Sequence, residues 1–338
     1  MTTPPLLAPP LLSVENLTVA FRTDAGWTNA IEQVSFTLGP RETLGIVGES
    51  GSGKSVTALS LLRLHATATT RIPTGTITYA GHNLLTLPER AMRRIRGAEI
   101  AMIFQDPMSS LNPVLTIADQ ITETLKLHQN LDRTAARKRA IALLDLVRIA
   151  DAAHRVDAYP HQLSGGQRQR VMIAIAIACR PKLLIADEPT TALDVTIQAQ
   201  ILDLLRDLQA ELGMSVILIS HDLGVIAEFA RRVLVMYAGR IVESAPARTL
   251  FRTPMHPYTS GLLSAIPPLD HDTSRLPTIP GSIPDPARHI PGCRFSPRCT
   301  ETEPACHQTP PGLVPVGPDH LARCPPRLNN MRLRQLTP

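Results

Sequence analysis

The residues that most clearly indicate a chemical role form a glycine-rich octapeptide that ends in lysine and serine, Gly48 to Ser55. The apolar run before it, Thr43 to Val47, predicts a buried strand, and Val56 to Leu62 have helical composition. A loop between a strand and a helix can wrap its backbone N–H groups around phosphate oxygens. We therefore predict a phosphate-binding loop in which Lys54 contacts the outer phosphates and Ser55 ligates Mg²⁺. The alternative is a glycine-rich turn with a chance lysine.

Two carboxylates, Asp187 and Glu188, follow the apolar residues Leu183 to Ala186, which predict a buried strand. We expect Asp187 to hold Mg²⁺ through water and Glu188 to polarise the water molecule that attacks the terminal phosphate. An exposed acidic turn is the alternative, and the buried strand disfavours it.

Two further polar residues come directly after predicted strands: Gln105 follows Glu99 to Phe104, and His221 follows Met214 to Ser220. Ligand-contacting loops lie at such strand ends in parallel α/β sheets. Each residue alone is more often structural, but His221 in this place is a candidate to hydrogen-bond the terminal phosphate. We expect the strand before Gln105 to neighbour the strand that precedes the phosphate-binding loop.

Helical periodicity dominates from Leu115 to Ala153, which predicts a helical insertion in an α/β frame. Ser164 then precedes two glycines and a helix that runs through Val171 to Cys179, so its side chain can cap that helix. Asp194 precedes another predicted helix, Val195 to Leu212. A helix start with two glycines can bind an anion, although serine and glycine alone are a weak signal.

Alternation of apolar and polar residues at Leu12 to Phe21 and Ile31 to Leu38 predicts an antiparallel sheet that leads into the phosphate-binding loop. A hairpin is predicted around Ala238 and Gly239. Phe21 could stack on an adenine ring or belong to the core, and the residue alone favours the core.

The 338 residues and their hydrophobic content of 43% suffice for one large domain or two smaller ones. The net charge of +5 is too small and scattered to indicate a nucleic-acid partner. Residues 1–10 lack the basic start and apolar core of a signal peptide. The longest apolar run, Val171 to Cys179, is about half the ~20 residues of a transmembrane helix. We expect a cytosolic chain that reaches a membrane only through partners.

Several motifs follow one another along the chain: the phosphate-binding loop, Gln105, the helix start at Ser164, the acids Asp187 and Glu188, Asp194 and His221. In this order, these blocks resemble the nucleotide-binding subunit of ATP-binding-cassette proteins, and the resemblance covers about Leu12 to Phe251. The resemblance implies an α/β fold: a P-loop NTPase domain with an antiparallel β subdomain and a helical subdomain inserted at about residues 107–165. A flexible tail, residues 1–11, would precede that domain. In the family, the blocks are the Walker A, Q-loop, signature, Walker B, D-loop and H-loop motifs.

The same resemblance assigns roles to named positions. Glu188, His221 and Gln105 would be catalytic, and Ser55, Gln105 and Asp187 would serve Mg²⁺. The residues that would contact ATP are Phe21, which matches the adenine-stacking aromatic, then Gly48, Glu49, Ser50, Gly51, Ser52, Gly53, Lys54, Ser55 and Val56, and finally Ser164, Gly165, Gly166, Gln167 and Asp194. Family members dimerise head to tail, so the signature of one subunit would cap ATP held by the other.

After Phe251 the chain is rich in proline, which predicts a largely irregular segment outside the main core. Four of the five cysteines lie there: Cys293, Cys299, Cys306 and Cys324. Disulfides are disfavoured in a cytosolic chain, which leaves a metal site, a cluster or free thiols, and the spacing lacks the close Cys pairs usual for zinc. The fifth, Cys179, is expected to be a buried core thiol.

The segments His256 to Thr259 and Gly292 to Cys299 resemble the C-terminal extension of oligopeptide and dipeptide importer ATPases, here residues 252–338. That resemblance implies a [4Fe-4S] cluster on the four cysteines and peptide import driven by ATP hydrolysis. The charge of such a cluster could be offset by three nearby arginines: Arg294, Arg298 and Arg323.

The resemblance also implies partners: a second, related ATPase subunit, two transmembrane permease subunits and, through them, an extracytoplasmic peptide-binding protein. The chain would lie peripherally on the cytoplasmic face of the inner membrane. There are three alternatives. The chain could be the ATPase subunit of an importer for another solute such as a nickel complex, a soluble cassette ATPase, or a non-catalytic regulatory cassette. A soluble cassette ATPase would normally show a second cassette or a coiled-coil insertion, which this sequence lacks, and Glu188 and His221 disfavour the regulatory one.

Overall fold

The computed structural model describes residues 9–24, 26–106, 110–191, 193–266, 278–286, 288 and 290–328. Two compact units alternate along the chain. The helical unit consists of Gly39–Glu42 and Thr86–Ile219, with the N-terminal residues through Pro9. The phosphate-loop unit consists of Pro10–Leu38, Thr43–Leu85 and Ser220–Pro338.

Strands and helices are numbered in chain order. The strands are β1 (Leu12–Thr23), β2 (Gly26–Leu38), β3 (Thr43–Val47), β4 (Thr70–Tyr79), β5 (His82–Asn83), β6 (Ile100–Ile103), β7 (Leu183–Asp187), β8 (Ser215–Ile219), β9 (Arg232–Tyr237), β10 (Arg240–Pro246), β11 (Val314–Gly317) and β12 (His320–Ala322). The helices are α1 (Lys54–Leu61), α2 (Glu89–Ile95), α3 (Ile117–Gln129), α4 (Arg133–Leu146), α5 (Ala152–Arg155), α6 (Gly165–Ile177), α7 (Val195–Leu212), α8 (Leu223–Phe229), α9 (Ala247–Arg252) and α10 (Pro257–Ser264).

The phosphate-loop unit contains an antiparallel sheet in the order β2-β1-β4-β5. β1 pairs with both β2 and β4, and burial alternates at its start, where Leu12 and Val14 are buried, Ser13 is half-buried and Glu15 is exposed. This period-2 pattern is what a sheet with one covered face requires. The two strands predicted here are confirmed. Both are longer than predicted, because β1 and β2 continue to pair with each other as far as Thr23 and Gly26.

A second set of strands in the same unit positions the phosphate-binding loop. β3, which feeds the loop, pairs in parallel with β9, and β9 forms the predicted antiparallel hairpin with β10. β12 pairs with β10, and β11 pairs with β12. The C-terminal extension therefore adds two strands to this sheet and also forms α10, whereas the sequence predicted an irregular segment outside the core.

In the helical unit, β6, β7 and β8 form a parallel set, and every residue of β7 and β8 is buried. Continuous burial matches the unbroken apolar runs that predicted these strands. The predicted neighbour of β6 was wrong, because β6 pairs with β7, the strand that ends in Asp187, and not with β3.

Side-chain caps fix the N-terminal starts of two helices in this unit. Thr116 and Asp119 form a capping box at the start of α3, and Asp132 accepts the N–H of Ala135 at the start of α4. The helical insertion expected between residues 115 and 153 is confirmed as α3, α4 and the start of α5. Residues 107–109 of the proposed subdomain and residues 1–8 of the proposed tail lie outside the described residues. In the described ranges, each helix is too short or too polar to cross a membrane.

Candidate functional site

The phosphate-binding loop joins β3 to α1 and depends on glycine at two positions. Gly48 and Gly53 have φ values of +153° and +103°. A Cβ atom on Gly48 would lie 2.3 Å from the carbonyl oxygen of Met236, and one on Gly53 would lie 2.6 Å from Cγ2 of Ile31. The backbone can follow this path only without these side chains.

The Lys54 ammonium group lies within this loop. Its Nζ donates to the carbonyl oxygens of Gly48 (2.8 Å) and Glu49 (3.1 Å), and the residue is only 5% exposed. α1 starts at Lys54 without a side-chain cap, and half-buried Ser55 lies in its first turn. An ammonium group, a free helix start and a side-chain hydroxyl form a donor set that fits nucleotide phosphates and Mg²⁺.

β6 and β7 bring two of the predicted catalytic residues together. Gln105 Nε2 donates to Oε2 of Glu188 (3.0 Å), and the hydroxyl of Thr191 donates to the same oxygen (3.0 Å). Glu188 has a φ of +47°, a rare conformation for a residue with a side chain, and its N–H donates to Ile219 (2.9 Å). Asp187 ends β7 and is only 4% exposed. Thr191 was not predicted, because nothing local separates it from an ordinary turn threonine.

The predicted signature and D-loop residues lie at two helix starts of the helical unit. Ser164 caps α6 as predicted: its hydroxyl accepts the N–H of Gln167 (3.3 Å), and the Gln167 side chain accepts the N–H of Ser164 (3.0 Å). Asp194 caps α7 by accepting the N–H of Ile197 (2.8 Å). A Cβ on Gly166 would lie 2.9 Å from Cγ2 of Ile197, so glycine lets the two helix starts approach each other.

Phe21 and His221 belong to the phosphate-loop unit. Phe21 is half-buried and therefore not a fully buried core residue, and its ring forms an edge-to-face pair with His65, with 5.3 Å between the centroids. Burial lowers the pKa of His65, so that ring is neutral at pH 7. His221 lies just after β8, as predicted, and is exposed.

The four C-terminal cysteines line one pocket of the phosphate-loop unit. The pocket is bounded by Cys293, Cys299, Cys306, Cys324, His256, Phe295 and Arg323, among others. The N–H of Cys293 donates to the carbonyl oxygen of Cys306 (2.7 Å). A Cβ on Gly292 would lie 2.1 Å from that oxygen, so glycine is required there. Two cysteine-bearing segments are thus held side by side.

Three of these thiols are poor acids in their present setting. Burial raises the pKa of Cys293 and Cys299 and raises that of Cys324 to about 12. All five cysteines are free thiols. Within the described ranges, no group of three or more His, Cys, Asp or Glu side chains is arranged to hold a metal ion. The pocket therefore offers the ligand count of a cluster without a preformed ligand geometry.

The three arginines that were expected to offset the charge of a cluster form hydrogen bonds with other parts of the unit. Arg294 pairs with Glu32, and Arg298 pairs with Glu49. Arg323 borders the thiol pocket, but its guanidinium donates to two backbone carbonyls, including that of Ile241 (2.7 Å). Their hydrogen bonds therefore connect the extension to the rest of the unit.

Cys179 differs from its expected place as well. α6 ends at Ile177, and the Cys179 side chain beyond it is half-buried, with its Sγ 4.0 Å from the carbonyl oxygen of Thr124. The expectation of a buried core thiol at the end of this helix was wrong, because the helix ends two residues before Cys179 and the side chain is only half-buried.

Comparison with known proteins decides the family. A family model described as "ABC transporter" matches residues 31–191, and one described as "Oligopeptide/dipeptide transporter, C-terminal region" matches residues 242–306. A Brucella abortus (strain 2308) protein named "Putative peptide import ATP-binding protein" is 65% identical over 319 residues, which cover 94% of this chain and 96% of that protein. This chain belongs to the ABC transporter family. A second protein of that strain, with the same description, is 52% identical over 326 residues, or 93% of this chain and 96% of its own.

Solved structures of ABC cassettes agree with the fold. An ATP-binding cassette solved as a dimer in a post-hydrolysis state, bound to ADP and Pi, has a TM-score of 0.63 and 28% identity, and the match covers 70% of this chain and 99% of that one. CbiO1 from Clostridium perfringens, part of an ABC transporter complex, has a TM-score of 0.61 and 27% identity, with 72% and 91% covered. The predicted ABC-type α/β fold is confirmed, and the chain is an ABC-type ATPase.

Proposed function

We propose that this chain is the ATP-hydrolysing subunit of an importer for oligopeptides or dipeptides. The observation that carries the proposal is the match of residues 242–306 to the oligopeptide/dipeptide transporter C-terminal region, on a chain that also carries the ABC transporter match. The 65% identical relative from Brucella abortus, whose name specifies peptide import, supports the same cargo class.

Glu188 is proposed to take a proton from the attacking water. Gln105 and Thr191 both donate to its Oε2, so they hold the carboxylate in place for this role. Mg²⁺, when bound with ATP, would offset phosphate charge; the Ser55 hydroxyl would ligate it, Asp187 would hold it through water, and Gln105 would also serve it. His221 is proposed to hydrogen-bond the terminal phosphate.

The remaining predicted contacts are assigned to the nucleotide and to a partner. Phe21, half-buried on β1, is proposed to stack on the adenine ring. The exposed caps Ser164 and Asp194, with Gly166, are proposed to meet ATP held by a second, related ATPase subunit. The contacts to the nucleotide phosphates are proposed to come from residues 48–56.

The assembly proposed around this chain contains two permease subunits and, through them, an extracytoplasmic peptide-binding protein. The chain would act at the cytoplasmic face of the inner membrane. The domain boundaries proposed from the sequence, residues 1–11, 12–251 and 252–338, divide this protein into tail, ATPase domain and extension.

A [4Fe-4S] cluster on the four C-terminal cysteines is the proposed state of the extension. Support comes from the four thiols on one pocket and from the family match of this region. Assembly must deprotonate the thiols, since ligation requires thiolates. Anaerobic purification should give a brown protein with broad absorption near about 400 nm. A colourless protein with bound zinc, or with four reactive thiols, would refute the cluster.

The function is tested by transport. The chain is co-expressed with the permease and ATPase subunits that copurify with it, and the purified complex is reconstituted in vesicles. We expect ATP-dependent uptake of labelled oligopeptides, and loss of both uptake and ATP hydrolysis in Glu188→Gln. Uptake of a nickel complex without peptide uptake would refute peptides as the cargo. Hydrolysis at the wild-type rate in Glu188→Gln would refute the catalytic role of Glu188. ATPase activity that copurifies with no permease would favour a soluble cassette.

A further inference from the structure

Two side chains of the C-terminal extension contact one residue of the phosphate-binding loop. The Arg298 guanidinium forms a two-pronged ion pair with Glu49, with Nη1–Oε2 and Nη2–Oε1 distances of 2.9 and 3.1 Å. The Tyr258 hydroxyl accepts the N–H of Glu49 (2.8 Å). The carbonyl oxygen of Glu49 accepts from Lys54 Nζ. The N–H, carboxylate and carbonyl of this loop residue are therefore all held.

Arg298 is fully committed to this position. Its side chain is 6% exposed. Besides its two bonds to Glu49, it donates from Nε to Pro280 O (2.8 Å), from Nη1 to the Tyr237 hydroxyl (3.4 Å) and from Nη2 to Ile279 O (3.3 Å). A guanidinium group has five N–H donors, and these contacts use all five. A lysine has no planar fork, so it could not reproduce the pair with the carboxylate.

Tyr258 is equally well fixed. It lies in the first turn of α10 and is completely buried. Its ring packs against Tyr237 and Phe295, with centroid distances of 4.6 and 5.4 Å. Burial raises the pKa of its hydroxyl, which therefore stays neutral. A rigid aromatic cluster thus holds the oxygen that accepts from the loop.

We propose that Arg298 and Tyr258 are positioning residues that hold the phosphate-binding loop in its ATP-binding form. The inference rests on the proposed function, because it concerns the ATP site of that ATPase. Glu49 directly follows Gly48, where the loop begins, and precedes Gly51 and Gly53, which are predicted to contact the phosphates. Fixing Glu49 lowers the ordering cost of binding. Pairing its carboxylate also removes a negative charge that would repel the phosphates.

The chain offers a matched control in Arg327. This arginine also belongs to the extension and also pairs with a glutamate, Glu301 (Nε–Oε2, 2.8 Å). Its other hydrogen bonds go to Pro254 O (3.0 Å) and the Ser260 hydroxyl (2.8 Å), both within the extension. Arg327→Ala therefore loosens the extension without touching Glu49.

The test uses the full-length chain in four forms: wild type, Arg298→Ala, Tyr258→Phe and Arg327→Ala. A fluorescent ATP analogue gives Kd, turnover in the reconstituted complex gives KM and kcat, and hydrogen exchange reports on the loop and on α10. We expect Kd and KM to rise about tenfold in Arg298→Ala and about threefold in Tyr258→Phe, with kcat within about twofold of wild type. Exchange of the 48–55 peptide should quicken in both variants. Arg327→Ala should match wild type in Kd and loop exchange.

Three results would overturn the inference. The first is an unchanged Kd and loop exchange in Arg298→Ala and Tyr258→Phe, while wild type binds and hydrolyses ATP. The second is a fall in kcat with an unchanged KM in these variants. The third is an equal loss of affinity in Arg327→Ala, which would indicate a general effect of the extension. Wild-type protein that fails to bind ATP would instead refute the proposed function, and the inference with it. If Arg298→Ala does not fold, Tyr258→Phe, which keeps the packed ring, decides.

Discussion

Acid should weaken this protein through one buried histidine, His256. The residue is 1% exposed, and its Nδ1 accepts the N–H of Tyr258 (3.1 Å) at the start of α10. Burial is the main cause that lowers its pKa, to about 4, against the favourable charge of Glu243. The neutral ring is therefore part of the fold, because a protonated Nδ1 could not accept this hydrogen bond.

The sign follows from proton linkage. The unfolded chain, with a histidine pKa of about 6.5, binds the proton more readily than the folded chain, so stability is complete above about pH 6.5 and is lost as pH falls toward 4. One pKa unit corresponds to about 1.4 kcal/mol, so the loss from this group alone is about 2 kcal/mol at pH 5 and about 3 kcal/mol at pH 4.

The measurement compares wild type with His256→Asn. Asparagine can cap the helix through its side-chain oxygen, but it does not titrate. Urea titrations followed by circular dichroism give the free energy of unfolding at pH 7, 6 and 5. Between pH 7 and pH 5, this free energy should fall by about 2 kcal/mol more in wild type than in the variant. Other groups titrate in both proteins and cancel in this difference. Parallel pH dependences would refute the assignment of a buried, neutral His256.

Three further predictions concern separate parts of the molecule. Gly53→Ala should abolish binding of a fluorescent ATP analogue while circular dichroism stays unchanged, because the new Cβ would meet Ile31 at 2.6 Å; retained affinity would contradict the loop geometry. Asp132→Ala removes the cap on the N–H of Ala135 and should cost about 1 kcal/mol in urea unfolding with unchanged ATP turnover, whereas reduced turnover would show an unsuspected link to the site. In metal-free protein, iodoacetamide at pH 7.5 should label Cys324 last, by mass spectrometry, because its pKa is about 12; labelling at the rate of a free thiol would exclude its burial.

Local signals in the sequence were enough to predict the strands and helix starts that carry the candidate site. The strand, glycine loop and helix around Lys54 are contiguous, and so are the strand and acids at Asp187 and Glu188. Ser164 and Gln167 are three residues apart, which is the spacing of a capping box, so the helix start was predictable as well. Features of this kind depend on neighbours in the chain, and the sequence shows those directly.

Long-range contacts were not predictable in this way. Arg298 pairs with Glu49 across 249 positions, and both residues are of a type that usually faces solvent. β12 has only three residues and no alternation to reveal it. The partner of β6 was misjudged because strand order depends on how crossovers pack, which the order of motifs does not specify. The residue type alone favoured the core for Phe21, and only the family resemblance assigned it to adenine, because hydrophobicity alone cannot separate a buried ring from one left for a ligand.

The added strands of the extension also bear on solubility. β10 is seven residues long, and β12 covers the edge that β9 leaves open. The outer strand is then β11, which has four residues and includes Pro315, a residue with no N–H to offer another chain. A protein truncated before residue 314 would present the longer edge of β10 to its neighbours, and such edges recruit strands from other molecules. Shortened forms of this ATPase should therefore aggregate even when every nucleotide motif is intact.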